Sequence, residues 1–251
     1  MRIGAHVGGD EDPLGEAASI GAEAIQIFVG DPQSFEKPKP RADAGVLRAS
    51  PIPVYVHAPY RLNVCHPSPR VRVPSRKTLA QTVDAAVGIG AAGVIVHGGH
   101  AEDDPAEGPR RWWKVFEERE YPVPVLIENT AGGDNAVARY VDQLDRLWQA
   151  LEGFPVRFCF DTCHAHAAGE ELSDVIERVL KVVGHIDLLH VNNSRDAAGT
   201  GADRHANIGS GTIDPAAIKD MVAASGAPVA IFETPWPGIK DDIAWLRDAL
   251  A

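Results

Sequence analysis

The sequence predicts an α/β fold, a single (β/α)8 TIM barrel over residues 1–251 with a metal site at the C-terminal face of its strands. Three observations predict it. Eight apolar runs recur at near-regular intervals, at 2–7, 24–29, 53–57, 93–97, 123–128, 156–161, 186–191 and 228–233, with helical patterns between them. Eight βα units in about 250 residues is the size of this barrel. Six of the runs stop on a residue that can bind a metal, and in a barrel all strand ends converge on one face. A doubly wound open sheet does not gather six strand ends in one place.

The elements follow in order. The first strand starts at Arg2 and passes through His6; Asp12-Pro13 then opens a helix, an N-cap followed by Pro at the first helical position. After the strand at 24–29, the third climbs through Tyr55-Val56 to His57. Ser75 opens the next helix, whose Leu79, Val83, Val87 and Gly90 recur at helical spacing. The fourth and fifth strands end at His97 and Glu128, and Trp112-Trp113 fall in the helix between them. Asp134 opens a helix with Val137, Tyr140, Val141, Leu144, Leu147 and Trp148. The sixth strand ends at Asp161. Ser173 opens a helix carrying Val175, Ile176, Val179, Leu180 and Val183. The seventh strand reaches His190, Asp214-Pro215 repeats the capped start, the eighth strand reaches Glu233, and Ile239 to Ala251 forms the last helix. The strands are apolar on both faces, as parallel strands covered by helices are. No linker, low-complexity tract or internal repeat divides the chain.

A hydrophobic fraction of 45% suits a sizeable core. No apolar run reaches the ~18 residues of a membrane span. Met1 leads straight into a strand, leaving no room for a signal peptide, and three cysteines (Cys65, Cys159, Cys163) fit a reducing cytoplasm better than a disulfide framework. The net charge of −11 argues against nucleic acid, but its distribution does not. Residues 31–77 hold nine Lys/Arg against three acids, a local balance of +6, so the rest carries −17. A basic stripe beside a cationic site is compatible with a polyanion.

Two further clusters add ligand types: His164, three residues after Asp161, and Asp203-Arg204-His205. Nine such residues are too many for one ion. Histidine nitrogen mixed with carboxylate oxygen suits zinc, with manganese or iron as other occupants, and three ions are supported if carboxylates bridge. Ions a few ångströms apart can polarise a phosphodiester and generate hydroxide near neutral pH. No Ser-His-Asp order, P-loop or GxGxxG competes. The pairs Gly8-Gly9, Gly98-Gly99 and Gly132-Gly133 fit tight βα loops.

The blocks His57-Ala58-Pro59-Tyr60, His97-Gly98-Gly99-His100, Glu128-Asn129-Thr130-Ala131-Gly132, Asp161-Thr162-Cys163-His164-Ala165, His190-Val191-Asn192-Asn193-Ser194 and Asp203-Arg204-His205-Ala206-Asn207-Ile208-Gly209 resemble endonuclease IV across essentially the whole chain. The resemblance implies an apurinic/apyrimidinic endonuclease of base-excision repair, a xylose-isomerase-like TIM barrel with a trinuclear zinc site. It implies that His57, His97 and Glu128 bind one zinc. Glu128 would bridge to a second, held also by Asp161, His190 and Glu233, and His164, Asp203 and His205 would hold a third. Glu128 would thereby position the hydroxide that attacks the phosphate 5′ to an abasic site, giving a 3′-hydroxyl and a 5′-deoxyribose phosphate. Removal of blocking groups from 3′ ends, double-stranded DNA as partner, a monomer and a bacterial cytoplasm with action at the nucleoid are implied too. Tyr60 matches the aromatic that opens the stack at the lesion. Arg61 departs from the family's usual aliphatic residue. Gln33 and Phe35 depart from its basic residue and Trp, and these departures bear on DNA grip, not on the metals.

Set against these roles, a lone strand-terminal His is more often an ordinary loop residue, and it is the convergence of nine that changes the reading. His6 lines the site or supports a ligand. His66, His100, His166 and His185 read as surface or packing residues, Cys163 as packing, and Trp148 and Trp245 as barrel wall. Trp236, three residues past Glu233, is open to substrate contact. The main rival is a metal-dependent sugar isomerase or epimerase of the same barrel type, which needs ligands near 128, 161, 190 and 233 only. It leaves His57, His97, His164, Asp203 and His205 without a shared purpose. A catalytically silent DNA- or metal-binding protein has no need of all nine.

Overall fold

The computed structural model describes residues 1–8 and 12–251, so that Gly9 of the first glycine pair lies outside the described residues. The chain begins β1 (Arg2–His6), α1 (Pro13–Ile20), β2 (Ile25–Ile27), α2 (Ala44–Arg48), β3 (Val54–His57), α3 (Pro69–Gly88) and β4 (Gly93–His97). It continues through α4 (Glu107–Glu117), β5 (Val125–Glu128), α5 (Val141–Ala150), β6 (Val156–Asp161), α6 (Thr162–Ala168), α7 (Val175–Val183) and β7 (Leu188–His190). A two-stranded antiparallel ribbon, β8 (Asn193–Ser194) with β9 (His205–Ala206), precedes α8 (Pro215–Ser225), β10 (Val229–Phe232) and α9 (Ile239–Ala249).

Eight parallel strands close in the order β1-β10-β7-β6-β5-β4-β3-β2, confirming the (β/α)8 barrel. Parallel neighbours need crossovers, and the helices supply them on the outside. Closure is made by β1 against β10, with Arg2 beside Val229 and Ala5 beside Phe232.

Strand side chains alternate faces, so residues two apart share one. Ala24, Ile95, Leu126, Cys159, Leu188, Val229 and Ile231 form a separate buried cluster, with Tyr55 packed on it. Two residues further along their strands stand Gln26 after Ala24, His57 after Tyr55, His97 after Ile95 and Glu128 after Leu126. Likewise Asp161 follows Cys159, His190 follows Leu188 and Glu233 follows Ile231. The apolar layer thus plugs the barrel directly beneath a polar layer. The larger core cluster, with Trp112, Phe158 and Phe232, fills the space between strands and helices.

Three helix starts differ from the sequence expectation. α3 begins at Pro69, not Ser75: the Ser68 hydroxyl accepts from Arg70 N, Pro69 takes the first helical position, and Pro74 is tolerated within the helix. Ser75 is buried inside it, its hydroxyl accepting from Asn63 N and donating to Val71 O. Residues 134–140 are not helical; Ala136 bridges to His100, and α5 starts at Val141, where the Gln143 side chain accepts from Tyr140 N at 3.1 Å. α7 starts at Val175 after Asp174. The starts at Asp12-Pro13 and Asp214-Pro215 are as expected, each Asp accepting from a first-turn N–H.

Candidate metal centre

Strand register sets the ligands side by side. His97 pairs with Glu128 across β4 and β5, and Asp161 pairs with His190 across β6 and β7. Glu233 stands one residue past β10. His164 arrives differently: Asp161 caps α6, its carboxylate accepting from His164 N at 2.7 Å, and the helix turns His164 back over the barrel mouth. The β8–β9 ribbon brings in Asp203 and His205. All nine sequence-predicted ligand positions meet here. Their donor atoms fall into three groups, each mutually within 4.8 Å: His57, His97 and Glu128; Glu128, Asp161, His190 and Glu233; His164, Asp203 and His205.

Glu128 is fully buried at the junction. Its Oε2 lies 3.2 Å from His57 Nε2 and 3.4 Å from His97 Nε2, and its Oε1 lies 2.9 Å from His190 Nδ1 and 3.2 Å from His164 Nδ1. Burial pushes this carboxyl up, but the surrounding imidazoles, His190 and His97 foremost, pull it well below the usual carboxylate range. Burial raises Asp161. Burial also drives His97 down to about 4, whereas His205 rises to about 9 because the Asp203 carboxylate 3.1 Å away and the other nearby carboxylates outweigh burial. Asp203, in turn, is held far below its ordinary value against its own burial by His164 and His205.

The residues fit divalent ions. His164 Nε2 and His205 Nε2 are buried without a hydrogen-bond partner. They stand only 3.2 Å and 3.1 Å from the Asp203 oxygens, close enough for an ion pair but out of hydrogen-bond alignment. Buried nitrogens aimed at a carboxylate with no bond between them are what a shared cation satisfies. Behind the donors, His57 Nδ1 donates to Ala58 O at 2.7 Å and His164 Nδ1 to Asn129 O at 2.8 Å, leaving each Nε2 for the site. Cys159 and Cys163 sulfurs also approach the groups, but burial pushes both thiols up to about 12 and keeps them protonated.

The mouth is a cavity of about 540 Å³ lined by His57, His97, His164, His205 and Glu233 and rimmed by Tyr60, Gln33, Arg195 and Arg204. Tyr60, 45% exposed, stacks on His97 with centroids 5.8 Å apart. Arg61 donates to Gln33 O and lies over the Phe35 ring at 5.4 Å, so these rim residues form one unit. Gln33 lines the cavity; Phe35 and Arg61 stand behind it. Trp236 is half exposed beside Pro235, which lines the mouth in its place. His66, His100, His166 and His185 lie outside the three groups.

Sequence reasoning missed four polar residues around the centre. Asn129 and Asn192 are buried and bracket Asp161: Asn129 exchanges hydrogen bonds with its backbone, and Asn192 Nδ2 donates to Asp161 Oδ2 at 2.7 Å. Gln26 is buried beside His190 and Glu233. Arg195 sits on the rim, its Nε donating to His205 O. Gln26 had a signal, a lone polar residue inside Ile25-Gln26-Ile27.

Residues 14–249 match a protein family described as a xylose isomerase-like TIM barrel. The chain is 53% identical over 252 residues to "Probable endonuclease 4" of Mycobacterium marinum, covering 100% of this chain and 99% of that one. It is 53% identical over 250 residues to "Probable endonuclease 4" of Mycobacterium tuberculosis, covering 99% and 98%. Among solved structures, endonuclease IV from Thermus thermophilus superposes with a TM-score of 0.84 at 28% identity, covering 100% and 99%. A D-tagatose 3-epimerase-like protein superposes at 0.81 with 16% identity, covering 100% and 97%, and shares the fold.

Proposed function

This chain belongs to the endonuclease 4 family of xylose isomerase-like TIM barrels, and we propose that it repairs DNA by hydrolysing the phosphodiester 5′ to abasic sites. The products are a 3′-hydroxyl and a 5′-deoxyribose phosphate, and the same site clears blocking groups from 3′ ends. The observation that carries this reading is the convergence of nine ligand-type side chains in three groups joined at Glu128. A sugar isomerase of this barrel needs the middle group alone and gives His57, His97, His164, Asp203 and His205 nothing to do.

The three groups would hold three zinc ions, with manganese or iron as alternative occupants. Such ions supply a water of lowered pKa and stabilise charge on the phosphoryl and leaving oxygens. The chain's own residues do the rest. Glu128 stays ionised between two groups, and His57 and His164 present Nε2 because their Nδ1 protons are held by backbone carbonyls. Tyr60 stands exposed over His97 as an aromatic wedge for the gap left by a missing base, where unstacking costs least. Gln33 at the mouth, backed by Phe35 and Arg61, belongs to the basic stretch at residues 31–77, which offsets an otherwise acidic surface toward a polyanion. No helix among the described residues is long and apolar enough to cross a membrane. The setting proposed is the bacterial cytoplasm, at the nucleoid during repair, with the protein acting as a monomer. Incision of a duplex with one abasic site by zinc-loaded protein tests the reading, and cutting on the 3′ side or none at all overturns it.

A further inference from the structure

Gln26 completes the polar layer at the barrel top. It is fully buried, and of the eight inward positions there it alone carries neither a charge nor an imidazole (His6, Gln26, His57, His97, Glu128, Asp161, His190, Glu233). Its amide is used three times. Oε1 accepts from His190 Nε2 at 2.8 Å, and Nε2 donates to Glu233 Oε1 at 2.6 Å and to His6 Nδ1 at 3.0 Å. Only one amide orientation satisfies this set, since the reverse sets the amide oxygen against the Glu233 carboxylate.

Two consequences follow for the second group. An amide oxygen at 2.8 Å requires the His190 proton on Nε2, so Nδ1 is the atom offered to the interior, 2.9 Å from Glu128 Oε1 and 3.2 Å from Glu233 Oε2. Glu233 has Oε1 engaged by Gln26 at 2.6 Å, which turns Oε2 toward the group, where it accepts only a longer 3.3 Å hydrogen bond from Asn192 Nδ2. We infer that Gln26 is a positioning residue for a divalent cation at the second group, acting by presenting His190 through Nδ1 and Glu233 through Oε2. This rests on the metal-centre part of the functional reading and is independent of the DNA chemistry.

Groups behind metal ligands alter affinity by about 10–100-fold. The test replaces Gln26 by Met, which keeps the length and removes the amide donors and the amide oxygen. Ions per chain are counted against graded chelator on zinc-loaded protein, with circular dichroism as the check on folding. The expected result is selective: one ion leaves Gln26→Met at about 10–100-fold lower chelator, and the others keep the wild-type midpoint. Unchanged midpoints for all ions overturn the inference. Long-range ¹H–¹⁵N NMR on zinc-loaded wild type needs no variant. A protonated His190 Nε2 with a metal-bound Nδ1 supports it, and metal on Nε2, or no ion at the second group, refutes it. Abasic-DNA incision by wild type is read separately, so failure to cut with the ion count and Gln26 effect intact rejects the nuclease reading alone.

Discussion

Glu128→Gln removes the one carboxylate shared by two of the three ligand groups while keeping its shape. Four imidazole nitrogens lie 2.9 to 3.4 Å from its two oxygens, and the side chain is fully buried. At ~3 Å and an effective dielectric constant of ~20, a unit positive charge facing this carboxylate is worth roughly 5–6 kcal/mol before desolvation. Desolvation takes back part of that, and removing one partner of a buried charge pair costs about 3–5 kcal/mol net. Carried over to a cation held by the same carboxylate, this is a loss of about 10²–10⁴ in affinity, at ~1.4 kcal/mol per decade. The assay counts zinc per chain against chelator and then measures single-turnover incision of abasic duplex at saturating zinc. The expected outcome is two weakened ions, one retained, and incision lowered at least ~10²-fold even when zinc is restored. Wild-type turnover of the variant at full occupancy refutes the role assigned to Glu128.

Other perturbations separate the layers of the account. Tyr60→Ala is expected to raise KM by about 10–100-fold, the value of one lost stacking contact, with kcat nearly unchanged; a fall in kcat at constant KM contradicts the wedge role. Metal retention is expected to fall with acidity: the metal-free His205 titrates at about 9, so a proton competes for its ring increasingly as pH drops below that value, and a pH-independent chelator midpoint between 6 and about 9 contradicts it. The same shift has the opposite sign for the metal-free fold. Because the folded pKa lies above the unfolded value of 6.5, its stabilisation is complete below 6.5 and is lost as pH rises through about 9, as urea midpoints across that window would show. Leu126→Ala in the plug beneath Glu128 is expected to cost about 2–5 kcal/mol in urea unfolding of the metal-free protein, and a cost under ~1 kcal/mol denies the layered core.

The strand ends were legible because one period governs both core and site. Ile95, Leu126, Cys159, Leu188 and Ile231 fill the barrel, and the residue two later on each strand faces the same way one layer higher. The same rule applied to the second strand leads from Ala24 to Gln26, whose amide was overlooked because Gln is not a metal ligand. Asn129 and Asn192 were beyond reach for another reason: their partners lie 32 and 41 residues away on neighbouring strands, and only the closed register joins them. Helix starts failed where a stronger local cue lay nearby. Ser75 is a plausible cap in sequence, yet Ser68-Pro69 captures the start earlier, and Asp134 loses to Gln143, whose side chain holds the backbone N–H groups at the true start. α6 was hidden because Asp161 ends a strand and caps a helix at once.

The most direct test is incision of a duplex carrying one synthetic abasic site, without added magnesium, by protein whose metal content has been counted. Protein holding about three ions is expected to cut on the 5′ side of the lesion, with cutting lost on chelation and regained with zinc. Fully metallated protein that leaves the abasic strand intact contradicts the nuclease reading and directs attention to carbohydrate substrates.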